Sequence, residues 1–389
     1  MWRAFASNGL TLLVVLVFAL ALVIQWGKAR YTAAGPLTGP ICFRVGGALR
    51  TMGGVTEALA EQGAISSAFL FRAGAEYTGR GTSKLKAGSF LIGPGASMAE
   101  ITETLTGTGY STCGTEVKLH IGVARNHIGI NALDLEQNRY EEVARFDPAA
   151  GEIPRAYLEV REETGVRYRI SVAEGVTSWQ VVEGLKGADF LSGEIAETPP
   201  EGTLAAINED VPDGMDRNAL LARMAEVQAG VLEAAWRNRA EGLPIQTRQE
   251  ALILASIVEK ETGVPDERSF VASVFVNRLR QGMKLQTDPT VIYGITGGQG
   301  GLGRGLRQSE LRRETPWNTY VIDGLPPTPI ASPGPASIEA ALNPADTEYL
   351  FFVADGSGGH AFAGTLAEHN RNVARWRRIE AERADGADE

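Results

Sequence analysis

Between Ala4 and Gly27 the chain carries no charged residue, and the centre of that stretch, Leu10 to Ile24, is almost entirely aliphatic. A bilayer core needs about 20 such residues in one helix, because no water is present there to satisfy backbone N–H and C=O groups. Trp2 and Trp26 bracket the run, as interfacial aromatics do. A cleaved signal peptide is the alternative. It would need a shorter apolar core of about 7–15 residues followed by an Ala-x-Ala-like site. Here Ala19-Leu-Ala21 lies inside the apolar stretch, which favours a retained anchor. Orientation is undecided by charge: Arg3 stands on one side, Lys28 and Arg30 on the other. No second apolar span follows, so the rest reads as a soluble body tethered to one membrane face.

At 389 residues the chain has room for two or three domains. Asp and Glu number 47 against 37 Lys and Arg, a net charge of −10, which argues against a nucleic-acid partner. With 44% hydrophobic and 22% charged residues the chain can build a core, so overall disorder is excluded. The 46 glycines point to many turns and loops. Two cysteines, Cys42 and Cys113, are too few for a disulfide scaffold or a four-thiolate zinc module. They can pair if their compartment is oxidising, but the count alone leaves that open. His120, His127, His360 and His369 fall in no metal-ligand spacing, and no metal or cofactor is expected.

Residues 1–30 read as a cytoplasmic stub and transmembrane helix, and 31–40 as a Gly/Pro linker. A small module spans 41–106, with strands at Ile41–Val45 and Ser89–Ile92 and helices at Val55–Gln62 and Met98–Leu105, the last opened by Ser97. Residues 107–165 hold strand-like Val117–Ile121 and an acid-rich surface without evident chemistry, and are set apart as an insertion. From 166 to 380 runs the largest unit. It begins with a strand at Tyr168–Val172 and a helix at Ser178–Leu185, where Glu174-Gly-Val-Thr echoes the earlier Gly53-Gly-Val-Thr. A helix at about 216–240 follows.

Thr247-Arg-Gln-Glu250 is a capping box. The helix it opens is apolar nearly all round until its last turn, the mark of a buried helix. Glu259 and Glu261 therefore sit at its C-terminal end, where the dipole prefers cations. Residues two apart point to different faces. Glu261 shares its face with Leu254, Ile257 and Val258, an apolar wall that should raise its pKa and suit it to general-acid work. Alternatively both carboxylates are solvated, or one pairs with Arg268 or Arg278. The next helix starts at Pro265 with Phe270, Val271, Val274, Phe275 and Leu279 as its buried stripe, and Gly282 ends it. Asp288 before Pro289 reads as the cap of a further short helix. Gly298-Gln-Gly-Gly-Leu-Gly303 formally matches a dinucleotide fingerprint, but its flanks are Gly-rich and it reads as a flexible loop.

Ala255-Ser-Ile-Val-Glu-Lys-Glu-Thr262, Ala272–Leu279, Leu285-Gln-Thr-Asp-Pro-Thr-Val-Ile-Tyr-Gly294, Asn318-Thr-Tyr320, Gly324–Pro327 with Ile330–Gly334, and Tyr349–Gly356 through His360 together closely resemble the endolytic murein transglycosylase (YceG-like) family. The order and spacing match across about 245–376. Residues 41–106 resemble, more weakly, that family's LysM-like subdomain. The stretch 107–165 is not covered, and Thr203–Asp210 departs from the family's usual aromatic and Pro-Asp-Thr-Tyr-like run.

The resemblance implies an α+β fold: a transmembrane helix, a small LysM-like α/β subdomain and a larger α+β catalytic domain. It implies a single-pass inner-membrane protein with a periplasmic body that cleaves nascent peptidoglycan strands and works near peptidoglycan synthases. Its catalytic Glu aligns with Glu261, Glu259 being the alternative. A lytic transglycosylase needs one carboxyl where ordinary glycosidases need two. Gln286, Asp288, Tyr293, Asn318, Tyr320 and His360 are then candidates to line the glycan groove, unless they merely support turns. Two other readings compete. One is a muramidase-type hydrolase using a second carboxylate such as Asp288. The other is a catalytically silent, membrane-anchored glycan-binding or division-scaffold protein.

Overall fold

The computed structural model describes residues 2–46, 49–107, 111–137, 139–163 and 165–385. Met1 lies outside them, as do the side chains of Trp2 and Arg3. The fold is mixed α and β, led by one long apolar helix. Helix α1 (Trp2–Thr32) includes the 21-residue stretch Leu12–Thr32, long and apolar enough to cross a membrane, and its apolar window is not buried in the protein. Its outward side chains, such as Phe18 and Leu22, lie bare, as lipid-facing residues do.

The first unit holds β1 (Ile41–Val45), α2 (Met52–Glu61), α3 (Ala68–Tyr77), β2 (Gly88–Ile92) and α4 (Met98–Thr106). The two strands pair antiparallel, Ile41 opposite Ile92 and Val45 opposite Gly88. The helices close over Phe43, Leu59, Phe71, Phe90 and Leu105. Helix α2 starts at Met52, three residues before the sequence expectation. Thr51 accepts a hydrogen bond from Gly54 N at 3.2 Å, and that cap offsets the weak helix preference of Gly53 and Gly54. Helix α3, capped by Ser67, has no counterpart in the sequence reading. It lies beside α1, with Leu70 near Gly27 and the Tyr31 ring so close over Gly74 that a Cβ there would collide with it. Tyr31 also donates to Thr102 at 2.7 Å.

The second unit holds β3 (Thr115–Ile121), β4 (Asn126–Asp134), β5 (Arg139–Phe146), α5 (Arg155–Glu162), β6 (Arg167–Val172), α6 (Ser178–Lys186), β7 (Leu191–Ser192), β8 (Ile207–Val211), β9 (Met215–Asp216) and α7 (Arg217–Arg237). Five strands form one sheet in the order β5-β4-β3-β6-β8. β3 and β6 are parallel and the other pairs antiparallel. Val117, Leu119, Ile121, Ile170 and Val172 face the core with Tyr157, Leu185, Leu220 and Met224 from the helices. Strands from the stretch set apart as an insertion thus share a sheet with β6 and β8, and the expected break at 165/166 falls inside that sheet. The strand period of 2 was visible in Val117–Ile121, but its partners 50 residues on were not. A disulfide joins Cys42 on β1 to Cys113 just before β3, with Cα atoms 5.7 Å apart.

The echo seen in the sequence lies elsewhere in the structure. Gly53–Thr56 is inside α2, whereas Glu174–Thr177 precedes α6. The equivalent segments are β2–α4 and β6–α6. In each, a glycine in the left-handed region (Gly95, φ 70°; Gly175, φ 76°) leads to a capping box, Ser97 with Glu100 and Thr177 with Gln180.

The third unit holds α8 (Arg248–Glu261), α9 (Arg268–Arg280), α10 (Asp288–Thr296), α11 (Gln308–Leu311), α12 (Pro335–Leu342), β10 (Phe351–Ala354), β11 (His360–Ala363) and α13 (Leu366–Asp385). The α8 capping box is present, and every residue from Ala251 to Val258 is buried. α8 packs on α9, α10 and α12 around Leu254, Ile257, Phe275 and Ile338. Phe270, expected in the buried stripe of α9, is instead 38% exposed. It lies on the outer side of α9 against Phe362 and Tyr349.

Candidate active site

The end of α8 is where chemistry concentrates. Glu259 and Glu261 leave the helix on different sides, as a two-residue step of about 200° requires. The Glu259 carboxylate accepts hydrogen bonds from Gly334 N at 3.0 Å and from the Ser337 hydroxyl at 2.7 Å. Gly334 is the N-cap residue of α12, so Glu259 satisfies orphan donors at a helix N-terminus, where negative charge is favoured. Lys260, between the two, is half-buried and donates to the carbonyl of Gly175 at 3.2 Å. That contact fastens the end of α8 to the loop after β6.

Glu261 enters a different environment. Its carboxylate accepts a hydrogen bond from the Thr287 hydroxyl. Burial pushes its pKa up, and the nearby Asp288 charge pushes the same way. The Thr287 bond, His360 and Arg278 act in opposition without cancelling the rise. An apolar wall at the end of a buried helix therefore has the effect expected from sequence. Neither Arg268 nor Arg278 forms an ion pair with Glu259 or Glu261. Arg278 is 8% exposed and gives its donors to the carbonyls of Leu350 and Leu285, both at 2.7 Å.

Thr287 is itself locked. Its N–H donates to Thr319 Oγ1 at 3.0 Å, and Thr290 Oγ1 donates to its carbonyl at 2.8 Å. The preceding Gln286 has φ 50°, a left-handed conformation uncommon for a residue other than glycine. Its N–H is held by the Thr319 carbonyl at 3.1 Å. Such strain persists only where surroundings enforce it, and it clusters at working sites.

The other candidates divide into two groups. Asp288, Tyr320 and His360 gather about Glu261. Tyr320 donates its hydroxyl to Asp288 Oδ1 at 2.7 Å, and burial together with that bond holds its own proton on tightly. Asp288 is the first residue of α10, whose N-cap position is Thr287, so the expected capping role is replaced by the bond to Tyr320. His360 is gripped by Glu267, which accepts from its backbone N–H at 2.8 Å and lies 2.7 Å from its Nδ1. Gln286 is exposed beside this group. Tyr293 turns away: its hydroxyl bonds Glu201 at 3.2 Å and its ring packs on Trp317. Asn318 is wholly buried, and its amide bonds the carbonyls of Glu310, Leu311 and Arg313. Gly298–Gly303 follows a helix, not a strand, and Gly298 accepts from the Thr177 hydroxyl at 2.6 Å.

Thr287, Glu267 and Thr319 border the candidate site without having been singled out from the sequence, and Arg278, considered there only as an ion-pair partner, instead donates to the carbonyls of Leu350 and Leu285. The first sits inside the quoted Leu285–Gly294 run. Nothing in one sequence marks a threonine that will meet a carboxylate 26 residues earlier.

A 120-residue stretch of this chain is 44% identical to the endolytic murein transglycosylase of Bacillus subtilis (strain 168), covering 31% of this chain and 32% of that protein. A 134-residue stretch is 37% identical to the endolytic murein transglycosylase of Streptococcus pneumoniae serotype 2, covering 33% of this chain and 24% of that protein. The matches thus span about a third or less of these curated relatives' length. The crystal structure of a yceG-like protein from Listeria monocytogenes superposes with a TM-score of 0.44 at 22% identity, covering 85% of this chain and 98% of that one. The profile of the YceG-like family matches residues 49–375. A single family pattern thus runs from the first unit through the sheet to the helix that ends in Glu261, and the chain belongs to the YceG-like family.

Proposed function

We propose that this protein is an endolytic peptidoglycan lytic transglycosylase with Glu261 as its one acid and base. The observation that carries the reading is a half-buried carboxyl with a raised pKa, oriented by the Thr287 hydroxyl. Protonated Glu261 donates its proton to the glycosidic oxygen between MurNAc and GlcNAc, and the C1–O bond breaks. The resulting carboxylate takes the proton of the MurNAc 6-hydroxyl as that oxygen bonds to C1. The products are a 1,6-anhydro-MurNAc end and a free GlcNAc 4-hydroxyl. No water is consumed, and Glu261 is again protonated.

In this reading Gln286, Asp288, Tyr320 and His360 border the bound glycan, while Tyr293 and Asn318 shape the loops behind it. Asp288 also helps keep Glu261 protonated. Residues 41–106 act as a LysM-like glycan-holding module. The apolar helix is a single-pass anchor in the inner membrane with the body in the periplasm. Strands are cut as they are made, close to peptidoglycan synthases, so that elongation ends. The Cys42–Cys113 disulfide supports a body on an oxidising face.

The test is mass spectrometry of digested peptidoglycan. Wild-type protein should release anhydro-MurNAc ends and Glu261→Gln should not. Reducing MurNAc ends would instead indicate a hydrolase using Asp288. Unchanged glycan with the wild type would leave a binding or scaffold protein.

A further inference from the structure

Helix α3 turns only part of its apolar surface inward. Phe71 and Ala75 are buried in the core of the first unit. On the other side Phe69, Ala73 and Tyr77, each four residues from the next, form one stripe. That stripe faces outward: Phe69 is 72% and Tyr77 73% exposed, and Ala73 is exposed between them. Two bare rings and a methyl group in line are a costly surface to leave in water, and such a patch marks a site of interaction.

The stripe runs beside α1. Leu70 stands 3.8 Å from where a Cβ on Gly27 would be, and four residues further along each helix the Tyr31 ring covers Gly74. The two helices therefore climb together, which sets Phe69 level with Trp26. Side chains lean towards the N-terminus of their helix, so the Phe69 ring is aimed back along the apolar part of α1. Between the helices lies a groove of about 730 Å³, walled by Ile24, Gly27 and Tyr31 from α1 and by Leu70, Ala73 and Tyr77 from α3.

The charges are arranged to match. From Gly63 to Phe71, the loop into α3 and its first turn, there is no charged residue. The first charge of α3 is Arg72, and its one acid, Glu76, is turned to Gly81 beyond the far end of the helix. On α1 the uncharged stretch ends at Gly27, and Lys28 holds its ammonium 5.2 Å from the centre of the Tyr77 ring. An aromatic at the lower level with cations just above it is the pattern of a headgroup boundary. At the height of Trp26 the surroundings of a membrane-spanning α1 are lipid, and the groove opens onto that same surface.

We propose that lipid fills the α1–α3 groove and covers the Phe69–Ala73–Tyr77 stripe, so that the first unit rests on the bilayer with Phe69 sunk into the headgroup–acyl boundary. The proposal rests on the reading of α1 as a membrane span. In it α3 is a second membrane contact, lying alongside the anchor and preventing the first unit from turning freely above the lipid.

The test is a depth measurement on full-length protein in nanodiscs of phosphatidylethanolamine and phosphatidylglycerol. The two native cysteines are joined to each other, so one engineered cysteine at a time carries a nitroxide label. The positions are Leu16→Cys, Trp26→Cys, Phe69→Cys, Ala73→Cys and, in the exposed turn between β4 and β5, Glu136→Cys. Relaxation by oxygen, which gathers in lipid, is compared with relaxation by a water-soluble nickel chelate. Labels at 16, 26, 69 and 73 should favour oxygen, most strongly at 16 and about equally at 26 and 69. The label at 136 should favour nickel. Oxygen preference at 16 with nickel preference at 69 and 73 overturns the lipid contact and leaves the anchor standing. Nickel preference at 16 overturns the anchor and the contact together. Low access to both reagents at 69, with dipolar broadening between labels, shows a second copy of the chain on the stripe and also overturns the proposal.

Discussion

Glu259 and Glu261 stand two residues apart at the end of one buried helix, and the structure sets them in opposite environments. Glu259 is bound by the backbone and Ser337 at the start of α12. Glu261 is half-buried near Asp288, with a hydroxyl as its hydrogen-bond donor. Glu261→Gln should therefore lower the production of anhydro ends by about 10³-fold or more, because a general acid–base group is worth 10²–10⁴. Glu259→Gln should leave turnover within a few-fold of wild type but cost about 1–2 kcal/mol of stability through a weakened helix cap. Product analysis and thermal melts on the same two variants check both halves. The reverse pattern would move the acid to Glu259.

The raised Glu261 pKa makes a signed prediction about pH. The acid must carry its proton, so activity should fall as pH rises through the raised value. Of the groups that face Glu261, Asp288 raises its pKa while Thr287, His360 and Arg278 lower it. Asp288→Asn removes a like charge and should move the alkaline limb of the rate profile to lower pH. The profile is measured as kcat/KM, which reports the free enzyme. An unmoved limb would show that another group titrates there.

The same group ties stability to pH. A carboxyl whose folded pKa is raised binds its proton more tightly in the folded state, so its ionisation costs stability as pH rises through the folded value. Glu261→Gln has no charge to bury. Above the raised pKa it should be more stable than wild type by about 1–3 kcal/mol, and the gap should close towards pH 4. Melting curves at several pH values test the crossover.

Thr287 is expected to act by positioning. Thr287→Val removes the hydroxyl that holds Glu261, and with it an influence that lowers the Glu261 pKa. kcat should fall by about tenfold, the worth of one hydrogen bond to a charged group, and the alkaline limb should move up. Thr287→Ser keeps the hydroxyl and should restore both rate and limb. A purely packing role would instead make Val the better replacement.

Removing the crosslink should loosen the first unit from the sheet. Cys42 and Cys113 are separated by 71 residues, and closing such a loop in the unfolded chain is worth about 4 kcal/mol in the chain-entropy account. Cys42→Ser with Cys113→Ser should lower the melting temperature, and dithiothreitol should lower it for wild type alone.

Helix α8 was legible because its signals are local. Thr247 and Glu250 mark its start, unbroken apolar residues mark its burial, and helical geometry separates Glu259 from Glu261. The partners of Glu261 were only partly legible. Asp288, Tyr320 and His360 drew notice as polar residues in family-like runs, but Thr287 and Arg278 act through contacts that close only when distant segments fold together. Asn318 shows the converse: its prominence in a short motif reflects a buried amide tying a loop. Helix α3 was missed for want of a clear apolar stripe, since Phe69 stands 72% exposed. The sheet was missed because strand pairing is a long-range property. Glu116, Lys118 and His120 alternated in plain sight with Val117 and Leu119, yet only the register across β4 and β5 gathers them around Gly129.

The long first helix does not end in a loose leash. It runs on to Thr32 with Tyr31 seated over Gly74, and the chain beyond is caught again where Gly35 donates to the Gly95 carbonyl at 3.0 Å. A body on a rope would reach strands at every depth of the wall; a body on a mast works in one layer. If the helix spans the membrane, the geometry of Tyr31 and Gly74 sets how far above the lipid Glu261 is carried. Inserting a few flexible residues after Thr32 should then change which strands are cut without touching the chemistry of the cut.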